Sequence, residues 1–593
     1  MAETIYNPVH LKLQDILIDI DNGRLGLPDL QRPFVWNDAQ VRDLFDSMLN
    51  GYPIGYLMIW EAPPDFEDKS VIGLQNKKYS APKEVIIDGQ QRLTALYSSI
   101  HGIPVKDKKY RDRQIRIAFS PLSRKFQVWS KAYENTPEYI PDVSAVFAAK
   151  ENNSTASFRK QFLNRLNSSR EKRNLPLLTD DEESTIENHL NELLALHNYT
   201  IPTLGITMNA TEEDVAEIFV RVNSMGQKLN QDDFILTLVS VYNREQRDRI
   251  EKFCEDSHIP RDHSSYNSIM RVYPSHLVRI AVGIGFRRAH LRYAYMILRG
   301  KDLRTGIFSD EIRNENLKKF KESLDLALDL NNWHAFLNIV KESGYLSGSL
   351  ISSKNAVVFT YILFLLGKYS CHLDNERLRK VIARWFFMVT LTGHYSGNFE
   401  SEVERQFTDL ELVHSADEFV GFLENTISSV LTNDYFEITL PNDLITSRAT
   451  APSWNAFVAS QIILGHKVLF SQIPLSQMFV LGSSGTKSSL DKHHIFPKKY
   501  LANMGIELDR QRNQVANLAY IDYQKNINIG DKAPSQYFEE IRQSIGYDSY
   551  SHHLKMHAIP ENFGFLDYSN FLEKRRLLMA KLIRKAYEHL CHR

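Results

Sequence analysis

Cysteine is scarce in this chain: Cys254, Cys371 and Cys591 are the only three in 593 residues. They form no Cys-x-x-Cys pair and no even-numbered framework, which excludes a disulfide scaffold and points to a reducing, cytoplasmic setting. No apolar run reaches transmembrane length and no basic-then-apolar leader opens the sequence, so no membrane partner is expected. Net charge is −1, from 71 Lys and Arg against 72 Asp and Glu. A basic signature for nucleic acid is therefore absent overall, and any such surface has to be local. Nothing repeats at a fixed period. Gly482-Ser-Ser-Gly-Thr-Lys-Ser488 superficially resembles a phosphate-binding P-loop but lacks the Gly-Lys dipeptide, and it reads as a mobile loop.

The length exceeds what one core can organise and suggests about three domains. Strands alternate with helices in the first part. Asn37-Asp38 predicts a helix start, with Val41, Leu44, Phe45 and Met48 at helical spacing. Strands are predicted at Tyr56–Trp60, Glu84–Asp88, Ile115–Phe119, Phe126–Trp129 and Pro202–Met208, and a further helix at Glu212–Val222. From about 245 to 430 the pattern is helical, at Phe320–Leu330, Ala356–Leu366 and Leu378–Leu391. Phe286–Arg299 interleaves cations with aromatics, which suits either a phosphate-tracking face or a plain amphipathic helix. The turn-rich Leu440–Pro452 marks a boundary, and Trp454–Leu464 predicts a helix beyond it.

Two clusters near the start carry chemistry: Gln31-Arg-Pro-Phe-Val-Trp36 and Asp88-Gly-Gln-Gln-Arg92. The second puts a carboxylate at a strand end, then a Gly turn, then Gln-Gln-Arg opening a helix. Free N–H groups at a helix start bind phosphate, and Arg adds a bidentate clamp. A strand–turn–helix corner with exposed polar side chains is the plain alternative.

Near the other end stand Asp491-Lys-His-His-Ile-Phe-Pro497, then Asn513-Gln-Val-Ala-Asn-Leu518, then Asn526. His-His, Asn and Asn in that order resemble the ββα-metal (HNH) nuclease motif. The resemblance makes His493 and Asn526 metal ligands, His494 the general base, and Asn517 the brace of the loop carrying His494. One divalent ion, Mg²⁺ or Mn²⁺, suits such N/O ligands, and imidazole titrates where a base at neutral pH must. Lys498, Lys499, Arg510 and Arg512 surround the His-His segment. Lys574, Arg575, Arg576, Lys581, Arg584 and Lys585 lie on the last helix, where they either neutralise phosphate or form an ordinary charged face.

The two N-terminal clusters, with Gly51-Tyr-Pro-Ile-Gly55 and Glu217–Gly226, resemble the N-terminal domain of GmrSD-type, modification-dependent (type IV) restriction enzymes. The His-His-Ile-Phe-Pro segment resembles the nuclease domain of that family. The resemblance implies a multi-domain α+β chain. Residues 1–245 would form a ParB/sulfiredoxin-like nucleotide-binding sensor, 246–435 a mainly helical middle, and 436–593 the HNH nuclease. It implies GTP or ATP bound by Gln31, Arg32, Asp88, Gly89, Gln90, Gln91 and Arg92, with Arg221 and Asn223 contributing. The expected partner is double-stranded DNA, modified phage DNA being the family's target, and homo-oligomers are compatible with it. A DNA-binding protein with a vestigial nuclease and an RNA-directed abortive-infection nuclease are the alternatives.

Overall fold

The computed structural model describes residues 5–26, 34–61, 83–107, 109–210, 214–215, 218, 222, 244–290, 292–298, 300–302, 305–307, 309–397, 399–481, 490–522 and 529–592. The chain divides into two compact units, Met1–Asn243 and Arg244–Arg593. The expected boundary at 245/246 falls beside that division, and the one at 435/436 falls inside the second unit.

The first unit is built on a five-stranded mixed sheet. Its strands are β1 (Tyr6–Lys12), β2 (Leu25–Gly26), β3 (Leu57–Glu61), β4 (Glu84–Asp88) and β9 (Thr200–Ile206), in the order β1-β9-β3-β4-β2. Four short strands form two separate pairs: β5 (Val105–Lys106) with β6 (Asp112–Arg113), and β7 (Ile117–Ser120) with β8 (Lys125–Val128). β3 runs parallel to β9 and antiparallel to β4. Successive side chains alternate between two covered faces, which explains why the buried residues of β3 and β4 are all apolar. Leu57, Ile59 and Ile86 enter the larger core with the helices, whereas Met58, Trp60, Val85 and Ile87 enter a smaller one. With both faces covered, the polar end of β4 at Asp88 is where the central sheet can present chemistry.

The predicted helix after Asn37 spans Asp38–Leu49 and begins in a full capping box, with Asn37 accepting from Gln40 N and Gln40 accepting from Asn37 N. Such a cap contributes about 1 kcal/mol. Gly89 then turns the chain at φ +90° into the helix Gln90–His101. Only isolated positions of Glu212–Val222 are among the described residues, and Gly482–Ser488 lies outside them.

The second unit is mainly helical, with one strand pair. Two expectations need correction. Phe320–Leu330 is not one helix. Helix Asp310–Leu328 ends at Asp329, whose extended backbone (φ −65°, ψ 115°) and side chain cap the next helix, Leu330–Glu342. An N-capping carboxylate inside apolar spacing divides what periodicity alone joins. Phe286–Arg299 is likewise not one helix. The helix Pro274–Phe286 stops at Arg287 in the left-handed region (φ 53°), and a second helix covers Arg292–Leu298. Arg288 lies 3.6 Å from Glu404 and 3.7 Å from Glu411, and His290 bonds Glu400 at 2.8 Å. Arg288 and His290 are therefore engaged by carboxylates, while Arg299 lies outside the described residues. Leu378–Leu391 falls in the helix Asn375–Thr392, and Trp454–Leu464 in Pro452–Ile463.

Candidate functional site

In the first unit the separate sequence clusters come together around the start of one helix. Gln91 Oε1 accepts from Val35 N at 3.0 Å, joining the Asp88–Arg92 segment to the cluster that begins at Gln31. Arg92 Nη1 donates to Tyr56 O at 2.7 Å, joining it to the Gly51–Gly55 segment. A Cβ at Gly55 would stand 2.9 Å from Arg92 Nη2, so glycine there is what lets the guanidinium lie against that turn. Gln90 Nε2 donates to Ile86 O at 2.8 Å.

Asp88 ends β4 beside Arg92. Burial pushes its carboxyl above the usual range, opposed by the Gly89 N–H and by the Arg92 charge. Burial also lowers Arg92, and burial with the Asp88 charge raises the Tyr56 phenol. A half-buried carboxylate and guanidinium held at a helix start form a polar corner in a largely apolar wall. Perturbed groups of this kind mark candidate functional sites. Gln31, Arg32, Arg221 and Asn223 lie outside the described residues.

In the second unit β10 (Leu490–His494) pairs antiparallel with β11 (Leu518–Asp522), setting His493 opposite Ala519 and His494 opposite Leu518. Adjacent strand residues face opposite ways, so the two imidazoles meet different surroundings. His493 is 3% exposed, and its Nε2 lies 3.3 Å from the Tyr537 hydroxyl. That hydroxyl spends its own proton on Ile495 O at 2.6 Å. It therefore faces His493 as an acceptor, which places a proton on Nε2.

His494 is partly buried, with Nε2 3.0 Å from Asn513 Oδ1. The amide oxygen can only accept, so Nε2 carries the proton and Nδ1 the basic lone pair. Burial holds this imidazole below its ordinary range; Asn513 works against that, while Lys498 and Arg512 add to it. A neutral ring at physiological pH is the form a general base needs.

Asn517 is fully buried on a 3₁₀ turn, Val515–Asn517. Its Oδ1 accepts from Phe496 N at 2.8 Å, and its Nδ2 donates to Phe496 O at 3.1 Å and Arg512 O at 3.0 Å. Its backbone carbonyl accepts from Ile495 N at 2.9 Å. One amide thus pins the chain on the C-terminal side of His494, and each bond left unmade there would cost about 1–3 kcal/mol. Asn526 lies outside the described residues. Among those described, no three His, Cys, Asp or Glu side chains converge at metal-ligand spacing. An imidazole whose Nε2–H is oriented by an oxygen, as in His493, is nevertheless compatible with metal ligation, since a partner on the second ring nitrogen is usual for such ligands.

The surrounding cations are mostly paired. Lys499 meets Asp531 at 2.7 Å, Arg512 meets Asp509 at 3.0 Å, and Lys498 lies 3.9 Å from Asp509. Arg575 corrects the expectation of a phosphate-facing or solvated cation on the last helix, Tyr568–His592. It is 0% exposed and donates to Ala516 O and Leu518 O, each at 2.8 Å, and to His557 O at 3.2 Å. Burial lowers it to about 9. Asn513, Tyr537 and Arg575 are the positioning side chains that sequence reasoning missed. Asn513 stood inside the segment already singled out, Arg575 was read only as one cation of a charged helix, and Tyr537 carried no local signal.

Residues 13–240 match the family model for the GmrSD restriction endonuclease N-terminal domain. The match lies within the first unit, and it is for that unit that it supports a GmrSD-type domain. The GmrSD-type segment includes Asp88–Arg92, Gly51–Gly55 and Val35. The chain is also 23% identical over 566 residues to the uncharacterized protein MJ0686 of Methanocaldococcus jannaschii, covering 89% of this chain and 86% of that one. The similarity therefore extends well beyond the GmrSD-type segment. No helix among the described residues is long and apolar enough to cross a membrane.

Proposed function

We propose that this protein is a nucleotide-regulated, divalent-metal-dependent DNA endonuclease that restricts foreign, modified DNA. The observation that carries the reading is the arrangement around His494. Asn513 sets the tautomer, and Asn517 clamps Phe496, two residues on, through both backbone groups. In this reading His494 Nδ1 takes the proton of the water that attacks phosphorus, as a base whose neutral form burial favours. His493 and Asn526 would hold Mg²⁺ or Mn²⁺, which would supply Lewis-acid stabilisation of the phosphate and the leaving oxygen. Asn517 fixes the approach of His494, because small displacements of a catalytic group are costly in rate.

The GmrSD-type unit takes the regulatory part. Asp88 and Arg92, with Gly89, Gln90, Gln91, Gln31 and Arg32, line the site for GTP or ATP. The helix start contributes N–H groups, Arg92 a guanidinium, and Asp88 a carboxylate for water or metal. Boundaries at 1–245, 246–435 and 436–593 suit this division into ParB/sulfiredoxin-like sensor, helical middle and HNH nuclease.

Plasmid cleavage with Mg²⁺ or Mn²⁺ tests the reading, using unmodified, phosphorothioated and glucosyl-hydroxymethylated DNA with and without nucleotide. His494→Ala is the control. Cleavage that requires His494 and modified DNA is the expected result. His494-dependent cleavage of every DNA keeps the nuclease and removes the modification sensor. Cleavage of RNA alone replaces the restriction role with an RNA-directed one, and wild-type-like cleavage by His494→Ala sinks the assignment.

A further inference from the structure

The helices Pro534–Ile545 and Tyr547–Met556 and the 3₁₀ turn Phe563–Phe565 enclose a pocket of about 140 Å³. Its floor is a packed aromatic cluster. Phe538 lies 4.0 Å, ring centre to ring centre, from Phe563 and 6.0 Å from Tyr550. Its rim is unlike that floor. Phe565 is 91% exposed and Tyr547 62% exposed, so both rings forfeit the burial that ordinarily places such residues in a core. Gly564 lets this turn approach the neighbouring helix, since a Cβ there would stand 3.1 Å from Ser535 Cα.

Between the rings stand hydrogen-bonding groups of both kinds. Glu539 Oε1 accepts from Arg542 at 2.6 Å and Gln543 at 3.3 Å. Glu561 Oε1 meets Ser551 at 3.3 Å and Lys555 at 3.9 Å. Neither Oε2 is used in these contacts, which leaves acceptors beside the Arg542 donor. The pocket also abuts the candidate nuclease centre. Tyr537, next to Phe538, is the residue that orients His493, and the Phe563 ring lies 6.5 Å from that of Phe496, the residue clamped by Asn517.

We infer that this pocket receives an unstacked nucleobase of the nucleic acid bound at the nuclease centre. Exposed aromatic rings offer stacking surface, which every base can use, and the carboxylates and guanidinium offer partners for the amino and carbonyl groups on a base edge. The two carboxylates would repel a phosphate, so the base rather than the backbone enters. The inference rests on the proposed DNA nuclease reading.

The test uses the full chain in EDTA, so that binding is read without cleavage, and oligonucleotides containing 2-aminopurine. Wild-type protein binds single strands, and duplexes with one mismatched 2-aminopurine, more tightly than matched duplex, with a change in probe fluorescence. Phe565→Ala and Tyr547→Ala each weaken binding to unpaired bases about tenfold and abolish the fluorescence change, while Phe565→Trp retains both. Both rings lie at the surface, so thermal denaturation of the variants stays close to wild type. Unchanged binding and fluorescence in both alanine variants overturns the pocket and leaves the nuclease reading standing. A wild-type protein that neither binds DNA in EDTA nor cuts it when Mg²⁺ or Mn²⁺ is restored overturns both.

Discussion

Arg575 Nη2 donates to Leu518 O at 2.8 Å while its Nη1 donates to Ala516 O at the same distance. The two carbonyls flank Asn517, so one guanidinium holds both sides of the residue that clamps Phe496. Its buried charge is met by three backbone carbonyls, whose dipoles offset the desolvation.

Replacing Arg575 by Met keeps much of the volume and removes every donor. Three buried carbonyls then lose a partner, at about 1–3 kcal/mol for each one that stays unsatisfied. The expected outcome is a loss of stability of about 3 kcal/mol or more. Urea unfolding measures it, and a change below about 1 kcal/mol would show that the carbonyls find other donors.

Asn513→Leu should act on rate rather than on folding. It removes the acceptor that fixes His494 Nε2–H and leaves Asn517 in place. A positioned general base contributes about 10²–10⁴-fold, so losing its orientation should lower kcat by about 10- to 100-fold with KM little changed. Single-turnover cleavage checks this, and wild-type kcat would remove Asn513 from the site.

Gly89→Ala tests the corner in the GmrSD-type unit. The position has φ +90°, and a Cβ would lie 2.4 Å from Leu57 Cδ2. Strain of this kind costs about 1–3 kcal/mol even before the clash is relieved. A lower melting temperature and loss of nucleotide hydrolysis are expected together. Hydrolysis at the wild-type rate would place the nucleotide elsewhere.

Acid should unfold the second unit through buried histidines. His557 accepts from Gln461 on Nδ1 at 3.2 Å and donates to Lys467 O from Nε2 at 2.9 Å, so the neutral ring satisfies both nitrogens. Burial lowers it to about 3, and lowers His466 to about 4. In the unfolded chain both take a proton near pH 6.5. The unfolded state therefore binds more protons below that pH. Stability is complete above about 6.5 and falls as pH drops toward the folded values. Each such histidine adds a slope of about 1.4 kcal/mol per pH unit. Denaturant midpoints at pH 7, 6 and 5 measure it, and a flat profile would contradict the buried neutral rings.

Local signals carried some of this structure and tertiary ones carried the rest. The helix after Asn37 was legible because its cap lies in adjacent residues. The pairing of His493 and His494 with the Asn517 segment was legible as a motif, and the structure brings those segments together on two strands. Asp329 and Arg287 were not legible as breaks, since each stands within continuous helical spacing and only its backbone angles divide the elements. Arg575 misled for a related reason. A cation on a helix with other cations reads as solvated, and its burial depends on carbonyls 57 and 59 residues away.

That separation also has a consequence for synthesis. The ribosome makes the Asn517 turn well before it makes the guanidinium that anchors it, 59 residues on from Ala516. At about 5–20 residues per second, the interval is roughly 3–12 s. A nascent chain, or a fragment that stops before Arg575, thus carries both histidines without the anchor that sets their surroundings. In the proposed nuclease reading, the surroundings of the two histidines are thus completed only late in synthesis.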